Sequence, residues 1–451
     1  MKRCMTLALA YLTGNLLFAG NVSNLNQDKS ALDLSFGGDI RLRYDATNNM
    51  PNEKHGEKAH SDYMRLRTRL WGKAEMKQME LFLRVADEFR YYRSAEGDKG
   101  KQRFPDVLFI DNLYLKYSDL FDFVDVKIGR QEMSFGAKRI ISDGTGGDGS
   151  RSNYFDAARL TFKFDNNRTL DAFGVYTARH DWLPTLGETH DAKSKGTKGY
   201  DYENTGYNQT EYGAGLYYTD KSNKEMPWEA YYVWKTEEGE HSKVIPKGQT
   251  DFQTHTFGLR LLPKFTETLS GETEVAVQFG DESSFATMVY GGLTYAPQIA
   301  LKPKFTLGVQ YMSGDKEGAR GEDAWKPVFN RETGVGELVA PMFNKYAYNN
   351  FLYPHLKVDL TLSENQKLAL QTGPMFAPVE ESDGNGGHYG SFRGFYAQTK
   401  YSIALGKALD LPALKGFGMA FTGEVLTKGD YFAESQDGTA FFGRAEVTYK
   451  F

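Results

Sequence analysis

A chain of 451 residues could hold about three ordinary domains, or a single large barrel. Its formal charge of −5 excludes a broadly basic nucleic-acid binder, and no stretch after the N-terminus is long and apolar enough to span a bilayer as a helix. Aromatics at 14%, 47 Gly, one Cys and a mean hydropathy of −0.55 fit a β-barrel with a polar interior.

Lys2 and Arg3 precede a largely apolar run from Met5 to Ala19, which ends in the small residues Ala19 and Gly20. The pattern predicts a secretory signal peptide over 1–20 and one mature domain over 21–451. Cys4 would leave with the peptide, so the mature chain would have no disulfide, thiol nucleophile or Cys–metal site. Loss of Lys2 and Arg3 takes the formal charge from −5 to −7.

From there the hydrophobic period is two. In 32–45, Leu32, Leu34, Phe36, Ile40 and Leu42 share one face, and Asp33, Ser35, Asp39, Arg41 and Arg43 the other. In 62–77, Met64, Leu66, Thr68, Leu70 and Ala74 alternate with Arg65, Arg67, Arg69, Lys73 and Glu75. A helix would scatter these sets, whereas a strand sorts them. Similar segments follow at 79–92, 107–118, 123–136, 154–164, 169–178, 211–219, 227–236, 254–265, 269–281 and 284–296. Then come 302–313, 350–362, 366–377, 391–403, 416–427 and 440–451, eighteen strands in all; 338–350 could hold one more.

Long and short connections alternate. The long ones are 46–61, 93–106, 137–153, 179–210, 237–253, 314–349, 378–390 and 428–439, and the short ones include 77–78, 165–168 and 363–366. The exception is 281–284, short where a long loop is due. Outer-membrane barrels have short periplasmic turns and long extracellular loops. The fold expected is therefore all-β: a transmembrane antiparallel barrel in the bacterial outer membrane. Tyr117, Phe164, Tyr218, Trp228, Phe265, Tyr295, Phe305, Tyr401 and Phe417 cluster near the short turns, as an interfacial girdle would. Phe441, Ala445, Val447, Tyr449 and the terminal Phe451 alternate in the manner of an outer-membrane sorting signal.

The same phase places Arg41, Arg43, Arg65, Arg67, Arg69, Lys73, Arg84, Arg159, Lys163, Arg260, Lys357 and Arg444 on the polar face, with Glu75, Glu272, Glu274, Asp359, Glu424 and Glu446. Arg41, Arg43, Arg65, Arg67 and Arg69 sit on two adjacent strands and should form a basic wall, which Arg444 meets at closure. Guanidinium is always charged and grips carboxylates bidentately, so such a wall would concentrate anions and offer them successive weak sites. In the alternative, these arginines pair with Glu75, Glu88, Glu272, Glu274 and Glu446 and hold the lumen together. Acidic residues on the eleventh and seventeenth strands would set a transverse field across it.

The stretch 126–164 carries a family likeness. It contains Gly129-Arg130-Gln131-Glu132-Met133-Ser134-Phe135-Gly136, with Arg139 close behind, and then Arg151-Ser152-Asn153-Tyr154-Phe155-Asp156-Ala157-Ala158-Arg159. This resembles the alginate-export family of outer-membrane proteins, as does the Arg-x-Arg pattern of 65–69. Ala157 stands where that family often has Gly, and the intervening loop is Gly-rich (Gly144, Gly146, Gly147, Gly149) and lacks Trp. The resemblance implies an eighteen-stranded monomeric channel with an electropositive constriction that includes Arg130 and Arg159, supported by Asp156 and Glu446. It also implies work beside a periplasmic export scaffold. Phase supports Arg159; Arg130 shares the parity of Val126 and Ile128 and needs a bulge to turn inward.

No His pair, triad spacing or phosphate-cradling loop marks an enzyme, and no cofactor is expected. Asp143 and Asp148 in 143–150 are weak candidates for Ca²⁺, and 381–387 is weaker still. The function expected is passive, selective diffusion of an anionic oligo- or polysaccharide, alginate-like, or of other anions. Long loops 179–210 and 314–349 would gate it, and lipid and lipopolysaccharide would surround it. The alternatives are an uptake porin for small solutes, and a plugged barrel that serves as an adhesin.

Overall fold

The computed structural model describes residues 32–50, 59–95, 108–142, 154–165, 167–178, 182–184, 210–238, 251–281, 283–315, 323–330, 335–339, 349–380, 390–432 and 438–451. Residues 1–20, where a signal peptide is expected, lie outside them.

Eighteen strands run in chain order. They are β1 Asp33–Met50, β2 Ala59–Met76, β3 Met79–Ala95, β4 Phe109–Leu120, β5 Val124–Gln131, β6 Phe155–Phe164, β7 Arg168–Thr177, β8 Glu211–Asp220 and β9 Trp228–Glu237. The second half is β10 Phe252–Leu261, β11 Leu269–Gly280, β12 Ser283–Tyr295, β13 Lys304–Met312, β14 Phe351–Ser363, β15 Gln366–Phe376, β16 Phe392–Ala404, β17 Phe417–Lys428 and β18 Thr439–Lys450. Each pairs antiparallel with its chain neighbours, and β18 returns to β1, so one 18-stranded sheet closes on itself. Closure gives every strand two partners, which is what backbone polar groups require inside hydrocarbon.

Alternation sets the two faces. On β1, Leu34, Phe36 and Leu42 are exposed outside while Asp39, Arg41, Arg43 and Asp45 are buried within. Ile128, Leu160, Leu216, Phe257, Val275, Leu293, Leu307 and Phe421 continue the outer apolar belt. A one-residue slip would exchange the faces, so this pattern fixes register. Short turns gather at the end that carries Phe451: two residues join β2 to β3, with Lys77 left-handed at φ 55°, and three join β6 to β7. The exception at 281–284 is real, for only two residues join β11 to β12 at the opposite end. Girdle aromatics sit at the short-turn end, where the Tyr218 and Trp228 rings lie tilted 5.1 Å apart and Phe417 stacks on Tyr449 at 4.4 Å.

Two expectations need correction, and a third falls mostly outside the described residues. β1 and β2 run to 18 residues each, β1 five residues past the end of 32–45 and β2 three before the start of 62–77, both toward the long-loop end. The strand expected over 123–136 stops at Gln131. Of 338–350, the described residues 338, 339, 349 and 350 form no strand.

The early end of β5 has a structural consequence. After it the chain leaves the wall and turns inward, and Met133, Phe135, Ile140 and Ile141 become buried. The β13–β14 connection does the same with Trp325, Val328, Phe329, Val335, Leu338 and Val339. The two segments meet: Ile141 bridges Phe329, whose N–H donates to Ile140 O at 3.0 Å, and Ser142 N–H donates to Phe329 O at 3.1 Å. Together with inward Tyr217, Tyr231, Met288, Tyr353 and Tyr396 they build a core inside the barrel. No helix among the described residues is long and apolar enough to cross a membrane, which is silent about strands.

Candidate functional site: the inner charged face

The arginine-rich sequences of β1 and β2 fold into a ladder. Register places Arg41 opposite Arg67 and Arg43 opposite Arg65, with Asp39 opposite Arg69. Directly opposed like charges destabilise a sheet by roughly 0.2–1 kcal/mol per pair. Neighbouring carboxylates offset that. Arg43 donates to Glu446 at 2.7 Å, Arg65 pairs with Glu88 at 3.1 Å, and Arg67 and Arg69 share Asp39 at 2.9 and 2.7 Å. Arg41 lies 3.7 Å from Glu446. Among the described residues, these ion pairs link five guanidinium groups to Asp39, Glu88 and Glu446. Arg41, Arg43, Arg65 and Arg67 are all 5% exposed or less. At the closing seam Arg444 forks onto Asp45 at 2.7 and 2.9 Å.

Arg130 stands apart from the ladder. It follows Gly129, whose φ of +121° suits glycine and interrupts the regular pleat. The guanidinium is almost wholly buried. It forks onto Asp156 at 2.8 and 3.0 Å, donates to Ile110 O at 2.9 Å, and lies 3.9 Å over the Tyr154 ring. Trp182 Nε1 donates to the same Asp156 at 2.7 Å. Arg84 bonds Asp111 and Glu132 beside it. Arg159, on the inner face of β6, meets Asp171 at 2.8 Å and lies 4.8 Å from the Phe135 ring. Arg139, on the inward turn, reaches across to Glu272 at 2.7 Å and Glu274 at 2.6 Å, above Tyr290. Arg260 meets Glu229 and Glu272 at 2.8 and 2.9 Å.

The β13–β14 segment is fastened to the wall by charge. Glu424 accepts from the backbone N–H groups of Glu337 at 3.2 Å and Leu338 at 3.0 Å, and from Gln398 Nε2 at 2.9 Å. Gly336 sits so close that an added Cβ would lie 2.0 Å from Tyr396 Oη. Arg444 also holds the segment, meeting the Glu337 carboxylate at 2.9 Å.

The residues singled out in the sequence therefore fall into separate groups. Arg41, Arg43, Arg65, Arg67, Arg69, Arg444 and Glu446 come together at β18–β1–β2. Arg130 and Asp156 form their own buried pair, and Arg139 reaches from the inward turn across the interior to Glu272 and Glu274 of β11. Of the partners foreseen, Glu88, Glu272, Glu274 and Glu446 do meet arginines, whereas Glu75 meets Lys73 at 2.7 Å. Asp45, Asp111, Asp171 and Glu337 were missed as partners. The parity of Asp45 was the available signal; a loop carboxylate such as Glu337 carried none. Asp143, Asp148, Arg151, the segment 381–387 and most of 179–210 lie outside the described residues.

A closed antiparallel barrel of 18 strands, apolar outside and charged within, is the architecture of outer-membrane channels. Solved structures of that class match it. Pseudomonas aeruginosa OccK11 (OpdR) superposes with a TM-score of 0.54 at 13% identity over 93% of this chain and 96% of that one. Pseudomonas aeruginosa OpdK with vanillate gives a TM-score of 0.57 at 10% identity over 92% and 98%. The sequence profile described as alginate export matches residues 32–374, and the chain belongs to that family of bacterial outer-membrane proteins. No functionally curated protein matches the sequence.

Proposed function

We propose that this channel passes anionic solutes by passive selective diffusion, with an alginate-like uronate polymer as the leading cargo and export as the direction. One observation carries the reading: among the described residues of β1 and β2, five guanidinium groups gather on one inner face around Asp39, Glu88 and Glu446. A wall with a local cationic excess concentrates anions in a confined aqueous path, and exchangeable contacts let them leave again. Family membership supports the cargo class. Arg130, Arg139 and Arg159 would act at the narrowest part, where the inward turn of 132–142 lies, with Asp156 holding Arg130. The protein works as a conduit rather than an enzyme, as a monomer in outer-membrane lipid and lipopolysaccharide, alongside a periplasmic scaffold.

Neutralising the wall tests this. Arg41→Gln with Arg67→Gln is expected to lower the anion-to-cation permeability ratio by at least about threefold, given the field a confined charge pair exerts. Retained gel mobility of the unheated protein would show that the barrel still folds. An unchanged ratio in a folded double variant would remove the wall from the selectivity mechanism.

A second reading is a porin for small anionic solutes. It is favoured by the inner core, since Trp325, Leu338 and Val339 fill space a polymer would need. Passage of monouronate but not of an oligomer would select it.

A further inference from the structure

Lys127 differs from every other described cation on the inner face of β1 to β6. Arg41, Arg43, Arg65, Arg67, Arg69, Lys73, Arg84, Lys116, Arg159 and Lys163 each lie within ion-pair distance of a carboxylate. Among the described residues Lys127 meets none. Its Nζ lies 3.7 Å over the Tyr114 ring instead, and the Tyr114 hydroxyl donates to Glu80 at 2.8 Å, which fixes that ring.

Its position adds a second point. Register sets Lys127 directly between Lys116 on β4 and Arg159 on β6. Three cations in a row across adjacent strands repel one another, and among the described residues only the outer two have a carboxylate within ion-pair distance, while Glu80 and Glu132 act on Lys127 from further away. Those are Asp125 at 3.5 Å from Lys116 and Asp171 at 2.8 Å from Arg159. Lys127 and Arg159 are both part-exposed, and opposite parity from exposed Ile128 and Leu160 puts them on the inner face. Phe135, on the inward turn, lies against the Arg159 guanidinium. The place therefore has an anchored aromatic floor, a part-exposed ammonium held over it outside any ion pair among the described residues, and a neighbouring guanidinium.

We propose that Lys127 and Arg159 form a discrete subsite for one carboxylate of a passing acidic sugar, with Lys127 the residue that sets its affinity. This rests on the anionic-cargo reading above and adds a location to it. The bound carboxylate supplies Lys127 with a counter-charge at ion-pair distance. Lysine suits the task, because a single ammonium on a flexible stem releases its partner more readily than a bidentate fork does. Retaining the repulsive row is otherwise a cost without return.

The test is blockade of single channels by tetragalacturonate, comparing the wild type with Lys127→Gln, Lys127→Arg and Lys116→Gln. Lys127→Gln is expected to raise the blocking dissociation constant about tenfold, as loss of one charge-assisted contact does. Lys127→Arg is expected to keep most of the affinity. Lys116→Gln removes the same charge one strand away, from within an ion pair, and is expected to change blocking by less than about twofold. Lys127→Gln relieves repulsion, so the variant should fold, and heat-modifiable gel mobility checks that.

Equal blocking of the wild type and Lys127→Gln overturns the subsite while the anionic-cargo reading stands. Equal weakening by Lys116→Gln also overturns it, because charge alone would then account for the effect. A wild-type channel that is neither anion-selective nor blocked overturns both proposals.

Discussion

Glu424 decides where the β13–β14 connection rests. It is buried, and its oxygens are taken up by two backbone N–H groups and the Gln398 amide. A carboxylate buried this deeply is tolerated because its lone pairs are satisfied. Removing it leaves the Glu337 and Leu338 N–H groups without acceptors, at a cost of about 1–3 kcal/mol for each. Glu424→Ala should therefore release 335–339 from the wall and raise single-channel conductance with added flicker. Gly336→Val should do the same by a steric route, because its Cβ would collide with Tyr396 Oη. Unchanged conductance in both variants would mean that this segment does not narrow the path.

The seam between β18 and β1 is where ion pairs bear on the fold itself. Arg43–Glu446 and Arg444–Asp45 cross the closing ladder side by side. Sequential hairpins form locally, but this pairing joins strands about four hundred residues apart, so its loop-closure entropy is the largest in the molecule. Glu446→Ala removes the carboxylate that Arg43 and Arg41, side by side on β1, both meet. It should lower the temperature at which the folded gel form is lost, by about 1 °C for each kcal/mol removed in a chain of this size. An unchanged transition would show that backbone pairing alone holds the seam. Elements of this kind were legible in the sequence because a strand with one face in lipid must alternate, and all eighteen did. The end of β5 was not legible. Gly129 in Gly129-Arg130-Gln131 reads as an ordinary strand residue until its φ of +121° is known. Beyond it parity no longer assigns a face, so Arg130 could not be placed. Counter-ions on the wall were half legible. Glu88 and Glu446 follow from strand phase, whereas Glu337 comes from a loop with no period to locate it.

For the whole molecule the net charge is −5, yet the inner faces of β1, β2 and β18 collect arginine. The opposite sector, β8 to β11, gathers Glu211, Glu229, Glu272 and Glu274 around fewer cations. Local field, not net charge, governs which ions enter a confined path. The field is screened over about 10 Å at 0.1 M salt and about 3 Å at 1 M. Anion preference should therefore fall steeply between those concentrations, and a salt-independent ratio would point to simple sieving by size. The most direct measurement is the reversal potential of single wild-type channels under a KCl gradient, followed by addition of an oligouronate to one side. The account predicts a clear anion preference and a reversible, concentration-dependent block by the oligomer. A channel that is non-selective or cation-selective, and that the oligomer does not block, would contradict it.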